Sequence, residues 1–263
     1  MGITANTTPP NTSSCGSQIP ATVPEFAAGR FHWSRQYDYA PEEYERRSRR
    51  YSWNYRFLLE LPRSRKVLEI GCGGGFFLHF LQQAGFLGCT GIDLDPAAIE
   101  ACRRNVTDRA FCIEAQAFLH GSRIRFDLIV SNHVVEHMSR AHAVKLLSDL
   151  RESLAPGGAI CVATPNAMSP WAGFHLYNDP THCRLYTPET LEELLLEAGF
   201  SNVTIRGEGP APYDVLTTVR YALWKIRRLW LSVLFAVDVG MGRNRRVKLL
   251  FEQGLIACGT RED

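Results

Sequence analysis

The segment "VLEIGCGGGFFLHFL" (residues 67–81) decides the fold of this chain. A short apolar run typical of a buried strand leads into four glycines, and an apolar run of helical character follows. Glycines at a strand-to-helix turn let the backbone approach a ligand closely. The dinucleotide fingerprint would need glycine at position 76, which is Phe76, and the Gly-Lys-Ser/Thr of a phosphate loop is absent. The segment therefore predicts a βα turn that binds a ligand of another kind.

Strands and helices alternate in both directions from this turn. The predicted strands are 66–70, 89–93, 110–114, 126–132, 159–165, 201–209 and 255–260, and the predicted helices are 41–61, 75–85, 95–105, 140–155, 187–200 and 213–237. This order predicts an α/β fold with a mostly parallel sheet covered on both faces. The expected organisation is a disordered segment 1–24, a helical lid 25–62, a ligand-binding core 63–208, and a helical insert with the final strand 209–263.

Composition narrows the class of protein. The 263 residues include 29 basic and 27 acidic side chains, a balance that speaks against bulk binding of nucleic acid. Eight cysteines are scattered without a Cys-x-x-Cys pair, which predicts reduced thiols in a cytoplasmic protein. The N-terminus lacks the basic and apolar regions of a secretory signal.

Two acids flank the predicted ligand site. Glu69 precedes the glycines, where it disfavours a pyrophosphate and suits a ligand with positive charge. Asp93 ends the next strand, where a carboxylate can accept both hydroxyls of a ribose. Leu94 follows it and can pack on an adenine ring.

From Lys66 to Phe200 the chain resembles the class I S-adenosylmethionine-dependent methyltransferases. The resemblance rests on "VLEIGCGGG", "GIDLDPAAIEACRRN", "FDLIVSNHVVEHM", "LAPGGAICVATPN" and "YTPETLEELLLEAGF", in that order. It implies a single-domain, Rossmann-like, doubly wound sheet of seven strands, with the helical insert before the last strand. It also implies S-adenosylmethionine as cofactor, held by Glu69, Gly71, Cys72, Gly73, Gly75, Asp93, Leu94, Gln116 and Asn132. The family often has an Asp after the third strand that bonds the adenine amine, whereas this chain has "CIEAQAFL", which leaves Gln116, Glu114 or backbone groups alone for that role.

The segment "SNHVVEHM" (residues 131–138) carries the candidate chemistry at the carboxyl end of the fourth strand. Methylation of a hydroxyl needs a base or a divalent metal to deprotonate it. Ubiquinone-biosynthesis O-methyltransferases and small-RNA 3′-terminal 2′-O-methyltransferases, which this segment resembles, bind metal here through Glu-x-x-Glu-His. The resemblance implies His133, Glu136, His137 and His182 as catalytic residues and as ligands of a divalent metal. Orientation of substrate, base catalysis and plain packing remain open alternatives for the same residues.

Two further stretches bear on the substrate. The polar connection "NDPTHCRLYT" (178–187) is interpreted as a lip of the substrate site. The helix 213–237 joins basic and tryptophan residues to an apolar run too short to span a bilayer. It is open to three interpretations: a helix in a membrane interface, a lid packed on the domain, or a dimer face. A similar polar connection followed by a hydrophobic helix resembles methyltransferases of cell-surface polysaccharide and lipid biosynthesis.

These observations predict O-methylation of a small-molecule or lipid-linked hydroxyl acceptor by a cytoplasmic enzyme with possible peripheral contact to a membrane. One alternative is an RNA 2′-O-methyltransferase with a divalent metal, which the near-neutral charge disfavours. The other is a cofactor-binding scaffold without catalysis. The intact glycine turn with Glu69 and Asp93 argues against lost cofactor binding in that second case.

Overall fold

A single sheet of seven strands organises the chain. The structure is a computed structural model, and it describes residues 39–121, 124–240 and 248–262. The strands are β1 (Lys66–Ile70), β2 (Gly88–Asp93), β3 (Ala110–Cys112), β4 (Phe126–Asn132), β5 (Leu154–Pro165), β6 (Ser201–Glu208) and β7 (Gly254–Thr260). Their order across the sheet is β3-β2-β1-β4-β5-β7-β6. Only β7 pairs antiparallel with its neighbours, so the predicted doubly wound, mostly parallel sheet is confirmed.

Helices cover both faces of the sheet. They are α1 (Pro41–Asn54), α2 (Phe76–Gln83), α3 (Pro96–Asn105), α4 (Ala115–Gly121), α5 (Arg140–Ser153), α6 (Ala172–Asn178), α7 (Pro188–Glu197) and α8 (Val215–Val239). One apolar core lies on the side of α5 and α7, and a second lies on the side of α1, α2 and α3. The central strands are buried on both faces, as their continuous apolar sequence predicts.

Local sequence signals explain where several helices begin. Asp95 accepts hydrogen bonds from the amides of Ala97 and Ala98 at 2.9 and 3.4 Å, so it caps α3 as predicted. Thr187 caps α7. Its side chain accepts a hydrogen bond from the amide of Thr190, and the side chain of Thr190 accepts one from the amide of Thr187. Both helices place proline in the first turn, where no backbone donor is lost.

The structure corrects three predictions of detail. The predicted helix 41–61 ends at Asn54, and a 3-10 helix (Arg56–Glu60) follows because Tyr55 leaves the helical conformation. Helices α4 and α6 were not predicted, since each has only seven residues and no clear apolar period. Of the seven cysteines within the described residues, six are free thiols and Cys112 is disulfide-bonded, so the prediction of reduced thiols is wrong at Cys112.

The predicted disordered segment 1–24, and the part of the predicted lid that precedes residue 39, lie outside the described residues. The described part of the lid, α1, packs on α2 beside the glycine turn. The hydroxyl of Tyr44 donates a hydrogen bond of 2.7 Å to the carbonyl of Gly74. Helix α1 therefore covers one side of the glycine turn at the edge of the sheet.

Candidate active site

A large cleft opens at the carboxyl ends of β1, β2 and β4. Its volume is about 2020 Å³, and it is bordered by the glycine turn, the segment after β4, α1 and α8. Open parallel sheets bind ligands at this edge. Small-molecule sites commonly occupy roughly 300–1,000 Å³, so this cleft has room for a cofactor and a second molecule.

The glycine turn is tightly packed at Gly71 and open at Gly73. Gly71 has a φ of +70°, and a Cβ on it would lie 2.5 Å from Cγ2 of Val134. Gly73 has a φ of +50°, but a Cβ on it would meet nothing within 4 Å. Gly71 therefore keeps the turn tight against the segment after β4, and Gly73 leaves open space beside the turn. Such a backbone cradle fits a ligand that approaches closely.

Glu69 is a buried acid with one oxygen left free among the described residues. Its side chain is buried at the end of β1. Its Oε1 accepts a hydrogen bond of 3.2 Å from Asn132, whose own amide oxygen accepts one of 2.6 Å from the hydroxyl of Tyr55. Its Oε2 has no hydrogen-bond partner within the described part of the chain. Burial raises the pKa of Glu69 well above its ordinary value.

Asp93 holds the glycine turn against β2. Its Oδ2 accepts a hydrogen bond of 2.7 Å from the amide of Gly73, and its Oδ1 accepts one of 2.9 Å from the amide of Asp95. Burial raises the pKa of Asp93, partly offset by these hydrogen bonds. Leu94, the next residue, lines the cleft with 43% of its surface exposed.

The other predicted cofactor residues occupy two kinds of position. Cys72, Gln116 and Asn132 line the cleft, and Gln116 also donates a hydrogen bond of 3.4 Å to Asp149. Gly75 lies behind the turn, where a Cβ would meet the sulfur of Cys102 at 2.5 Å. Gly75 therefore shapes the start of α2, and the first three bound the cleft.

Three of the four predicted catalytic residues form one cluster. The ligand atoms of Glu136, His137 and His182 all lie within 4.8 Å of one another. The two imidazole rings have centroids 4.7 Å apart. The loop that carries His182 is tied to this place, because the amide of Cys183 donates a hydrogen bond of 2.8 Å to the carbonyl of Glu136.

His133 lies outside this cluster and contacts the carboxylate of Glu136 from one side. The helical turn after β4 is a 3-10 helix that begins at Val135, and His133 precedes it with a φ of +57°. The i, i+3, i+4 spacing of His133, Glu136 and His137 therefore does not place the three residues on one helical face. Instead Nδ1 of His133 lies 3.0 Å from Oε1 of Glu136.

Comparisons with known proteins identify the family of the chain. The family model described as "Methyltransferase domain" matches residues 44–205. The chain belongs to this methyltransferase family. The match covers the glycine turn, both acids, and the cluster of Glu136, His137 and His182. The protein is a methyltransferase enzyme dependent on S-adenosylmethionine.

Two curated relatives resemble the methyltransferase at the level of sequence. It is 28% identical over 194 residues to the ubiquinone biosynthesis O-methyltransferase of Psychrobacter arcticus, across 66% of this chain and 71% of that protein. It is 31% identical over 179 residues to the malonyl-[acyl-carrier protein] O-methyltransferase of a Paenibacillus species, across 59% of this chain and 64% of that protein.

Solved structures share its fold. An S-adenosylmethionine-dependent methyltransferase from Archaeoglobus fulgidus superposes with a TM-score of 0.61 at 24% identity, across 82% of this chain and 94% of that one. Phosphoethanolamine N-methyltransferase 2 of Haemonchus contortus, solved with S-adenosylmethionine, gives a TM-score of 0.52 at 15% identity, across 80% and 52% of the two chains.

Hydrogen bonds in the methyltransferase fix the tautomers of the clustered histidines. Nδ1 of His182 lies 2.6 Å from the carbonyl of His175, so this nitrogen is the donor. Nδ1 of His137 lies 2.8 Å from the hydroxyl of Thr181, which itself donates to Asp179 at 2.5 Å. We therefore place a proton on Nδ1 of each ring. In the neutral form of either ring, Nε2 then carries the lone pair, which can accept a proton or bind a metal.

Burial and neighbouring charges shift the pKa values of three residues in and beside the cluster. Burial lowers the pKa of His137, with the nearby His182 adding to the effect and Glu136 opposing it. Burial would raise the pKa of Glu136, but His133 and His137 outweigh it and hold that pKa below its ordinary value. Burial likewise would lower the pKa of His133, yet Glu136 raises it overall. At neutral pH the cluster thus presents an ionised carboxylate beside a neutral His137.

The polar connection 178–187, predicted as a lip of the substrate site, also borders the cleft. Asp179, Thr181 and His182 all line the cleft. The sequence did not reveal that α1 brings Arg50 to the same cleft, that Tyr55 follows it there, or that α8 adds Arg220 and Arg227. These residues lie far from the motifs in sequence, so only the packing of the helices identifies them. Glu208 also lines the cleft. The sequence could have predicted this position, because Glu208 ends a strand just before a glycine.

Proposed function

We propose that the methyltransferase transfers a methyl group to the oxygen of a hydroxyl acceptor, either a small molecule or a lipid-linked one. The observation that carries this proposal is the cluster of Glu136, His137 and His182 in the same cleft as Glu69. The curated relatives named above are O-methyltransferases, which supports an oxygen acceptor.

The residues of the cleft fit S-adenosylmethionine at its charged and polar ends. The free Oε2 of buried Glu69 suits the ammonium group, and Asn132 holds this carboxylate in place. Asp93 is placed for the ribose hydroxyls, and the exposed side chain of Leu94 for one face of the adenine. The backbone of Gly71, Cys72 and Gly73 bounds the open space beside the turn, and Gln116 lines the adenine end.

The cluster supplies the proton acceptor that such a transfer needs. Bound S-adenosylmethionine supplies the electrophilic methyl group. Neutral His137, with its Nδ1 proton held by Thr181, accepts the acceptor's hydroxyl proton at Nε2 as the oxygen attacks. The ionised Glu136 stabilises the imidazolium that results, so base and carboxylate act as a pair.

As the alternative to this base role, we propose that Glu136, His137 and His182 bind a divalent cation, since the one lone pair on Nε2 of His137 cannot both accept a proton and bind a metal. The fit rests on the closeness of the three residues, whose ligand atoms lie within 4.8 Å of one another, and on Oε2 of Glu136, which has no hydrogen-bond partner within the described residues. The hydrogen bonds at Nδ1 are the supporting contacts that metal-binding histidines usually have. Two nitrogens and a carboxylate favour Zn²⁺, Fe²⁺ or Mn²⁺ over Mg²⁺. When bound, the metal lowers the pKa of a coordinated hydroxyl.

Paired acceptors test the choice of oxygen. Production of S-adenosylhomocysteine is measured with matched phenol and aniline acceptors, and with alcohols of increasing chain length. We expect turnover of hydroxyl acceptors only, and about a 100-fold loss of turnover in His137→Ala because general-base catalysis contributes roughly 10²–10⁴-fold. Turnover of the amine members of the pairs, without the hydroxyl members, would refute the proposal.

Elemental analysis and calorimetric titration with Zn²⁺ test the metal. We expect a one-to-one metal complex in the native protein, lost in His182→Ala and kept in the control His120→Ala, which changes an exposed histidine of α4. Equal metal content in both variants, or none in the native protein, would contradict the metal site while leaving His137 as the base.

A further inference from the structure

Helix α8 exposes apolar side chains along its whole length. None of its residues is buried. Ten of its eleven exposed large apolar residues are Val215, Leu216, Val219, Leu223, Ile226, Leu229, Trp230, Val233, Leu234 and Val237, and the eleventh is Val239 at the last position. At 100° per residue these ten fall in one continuous arc of about 140° that contains no polar side chain, and Val239 falls on the opposite face. Such an arc normally faces a protein core, but here it faces outward.

The opposite face of α8 packs on the domain and fixes this orientation. Tyr221 meets Trp53 edge to face, with ring centroids 5.7 Å apart, and Phe235 meets Phe251 at 6.0 Å. The guanidinium of Arg228 lies 3.4 Å from the buried carboxylate of Glu252. The helix is therefore already docked on the described part of the domain, and the apolar arc is not its docking face.

Positive charge borders the arc on both sides. At 100° per residue, Arg220 and Arg227 fall along one edge and Lys225 along the other. Within α8 the one acidic residue is Asp238, which falls on the edge of Arg220 and Arg227 at the C-terminal end of the helix. An apolar face between two basic edges is the pattern of a helix that lies in the interface of an anionic membrane.

A second copy of the chain fits this face less well. A coiled-coil seam is narrower than the arc, since it uses two positions in each heptad, and partner choice in such seams relies on opposite charges at the flanks. Two copies of α8 would bring like charges together. A bilayer accommodates the whole width of the arc, and its anionic headgroups complement both edges.

We propose that α8 docks the methyltransferase on an anionic lipid surface. No helix within the described residues is long and apolar enough to cross a bilayer, so α8 would lie in the plane of the interface. Trp230, with 62% of its surface exposed, sits near the middle of the arc, where an aromatic ring suits the headgroup level.

The same helix connects this surface to the cleft. Arg220, Leu223, Trp224 and Arg227 line the cleft, so its wall on this side is the edge of the membrane-facing arc. An amphiphilic acceptor can then reach the cluster of Glu136, His137 and His182 without leaving the bilayer surface. This last step rests on the proposed function, whereas the docking itself does not.

Vesicle co-sedimentation tests the docking without any turnover. The native methyltransferase is mixed with vesicles of phosphatidylcholine alone or of phosphatidylcholine with phosphatidylglycerol. We expect binding to the anionic vesicles, weakened by salt. Ile226→Asp and Trp230→Asp should each weaken binding at least about tenfold through lost apolar burial. Lys225→Gln should weaken it about fivefold through the lost charge.

Leu87→Asp is the matched control, because Leu87 is 84% exposed and precedes β2, far in sequence from α8. It should leave vesicle binding unchanged, and calorimetry with S-adenosylmethionine should give the same affinity for all four variants. Failure of the native protein to bind either vesicle, or equal binding by Trp230→Asp, would overturn the proposal. A light-scattering mass that falls by half in Trp230→Asp, without vesicle binding, would assign the arc to a dimer and also overturn it.

Discussion

At the scale of single residues, Glu69 links stability to cofactor binding. The protein keeps this acid buried with one oxygen free among the described residues, which costs stability unless a ligand compensates. We predict that Glu69→Gln raises the melting temperature of the ligand-free protein and weakens S-adenosylmethionine about tenfold or more. Thermal unfolding and calorimetry measure the two effects. Glu100→Gln, on the exposed side of α3, should change neither. A variant that loses both stability and affinity would show that Glu69 is structural.

The raised pKa of Glu69 also predicts a pH dependence. The folded ligand-free protein holds the Glu69 proton more tightly than the unfolded chain. Its contribution to stability is therefore present below the unfolded pKa and is lost as pH rises through the folded pKa. Affinity for S-adenosylmethionine should change in the opposite sense, rising with pH as the carboxylate ionises. Subtracting the curves of Glu69→Gln isolates this residue, and identical curves for both proteins would exclude it.

The candidate site could be predicted in part because the order of strands places residues at one edge. Glu69, Asp93 and Glu136 come at or just after the ends of strands, so the sequence was sufficient to bring them together. The position of His133 could not be read from spacing, since a single left-handed residue removes it from the helical face. Tyr55 was also missed, because its hydrogen bond to Asn132 joins residues 77 apart in the chain.

At the scale of elements, the cap of α3 supports the ribose end of the proposed cofactor site. Asp95 caps this helix and its amide also holds Asp93. We predict that Asp95→Ala costs about 1 kcal/mol of unfolding free energy, or roughly 2–4 °C in melting temperature for a domain of this size. Asp95→Asn keeps a capping oxygen and should cost less. Equal losses in the two variants would show that the cap is not the cause.

A glycine in β6 sets the contact between the sheet edge and α8. A Cβ on Gly207 would overlap the carboxyl group of Glu252, which is buried and paired with Arg228. We predict that Gly207→Ala destabilises the protein by about 1–3 kcal/mol, as overpacking usually does. Gly173→Ala is the control, because a Cβ there meets nothing within 4 Å. Denaturant unfolding distinguishes them, and an unaffected Gly207→Ala would mean that Glu252 moves freely.

The elements themselves were largely predictable, for a physical reason. Every strand of the sheet was predicted. The central strands β1 and β4 are buried and mostly apolar, and short turns separate the strands from capped helices. The early start of β5 at Leu154 was not, since Pro156, Gly157 and Gly158 look like a turn yet continue the strand. Pairing with Phe126 across an irregular register explains this extension.

At the scale of the whole molecule, the arrangement joins three regions around one cleft. The sheet edge carries the acids of the proposed cofactor site, the connection before α7 carries His182, and α8 forms the wall beside the proposed membrane surface. The sequence predicted the first region and hinted at the second. The orientation of α8 depends on packing between distant aromatic residues, so only the structure revealed that its apolar face points outward.

One calorimetric titration, of the native protein and Glu69→Gln with S-adenosylmethionine at neutral pH, tests how the cofactor is held. We expect one-site binding by the native protein, with protons released as Glu69 ionises. The affinity of the variant should be lower by about tenfold or more. Absence of binding by the native protein, or equal affinity and equal proton release in both proteins, would contradict the proposed cofactor site.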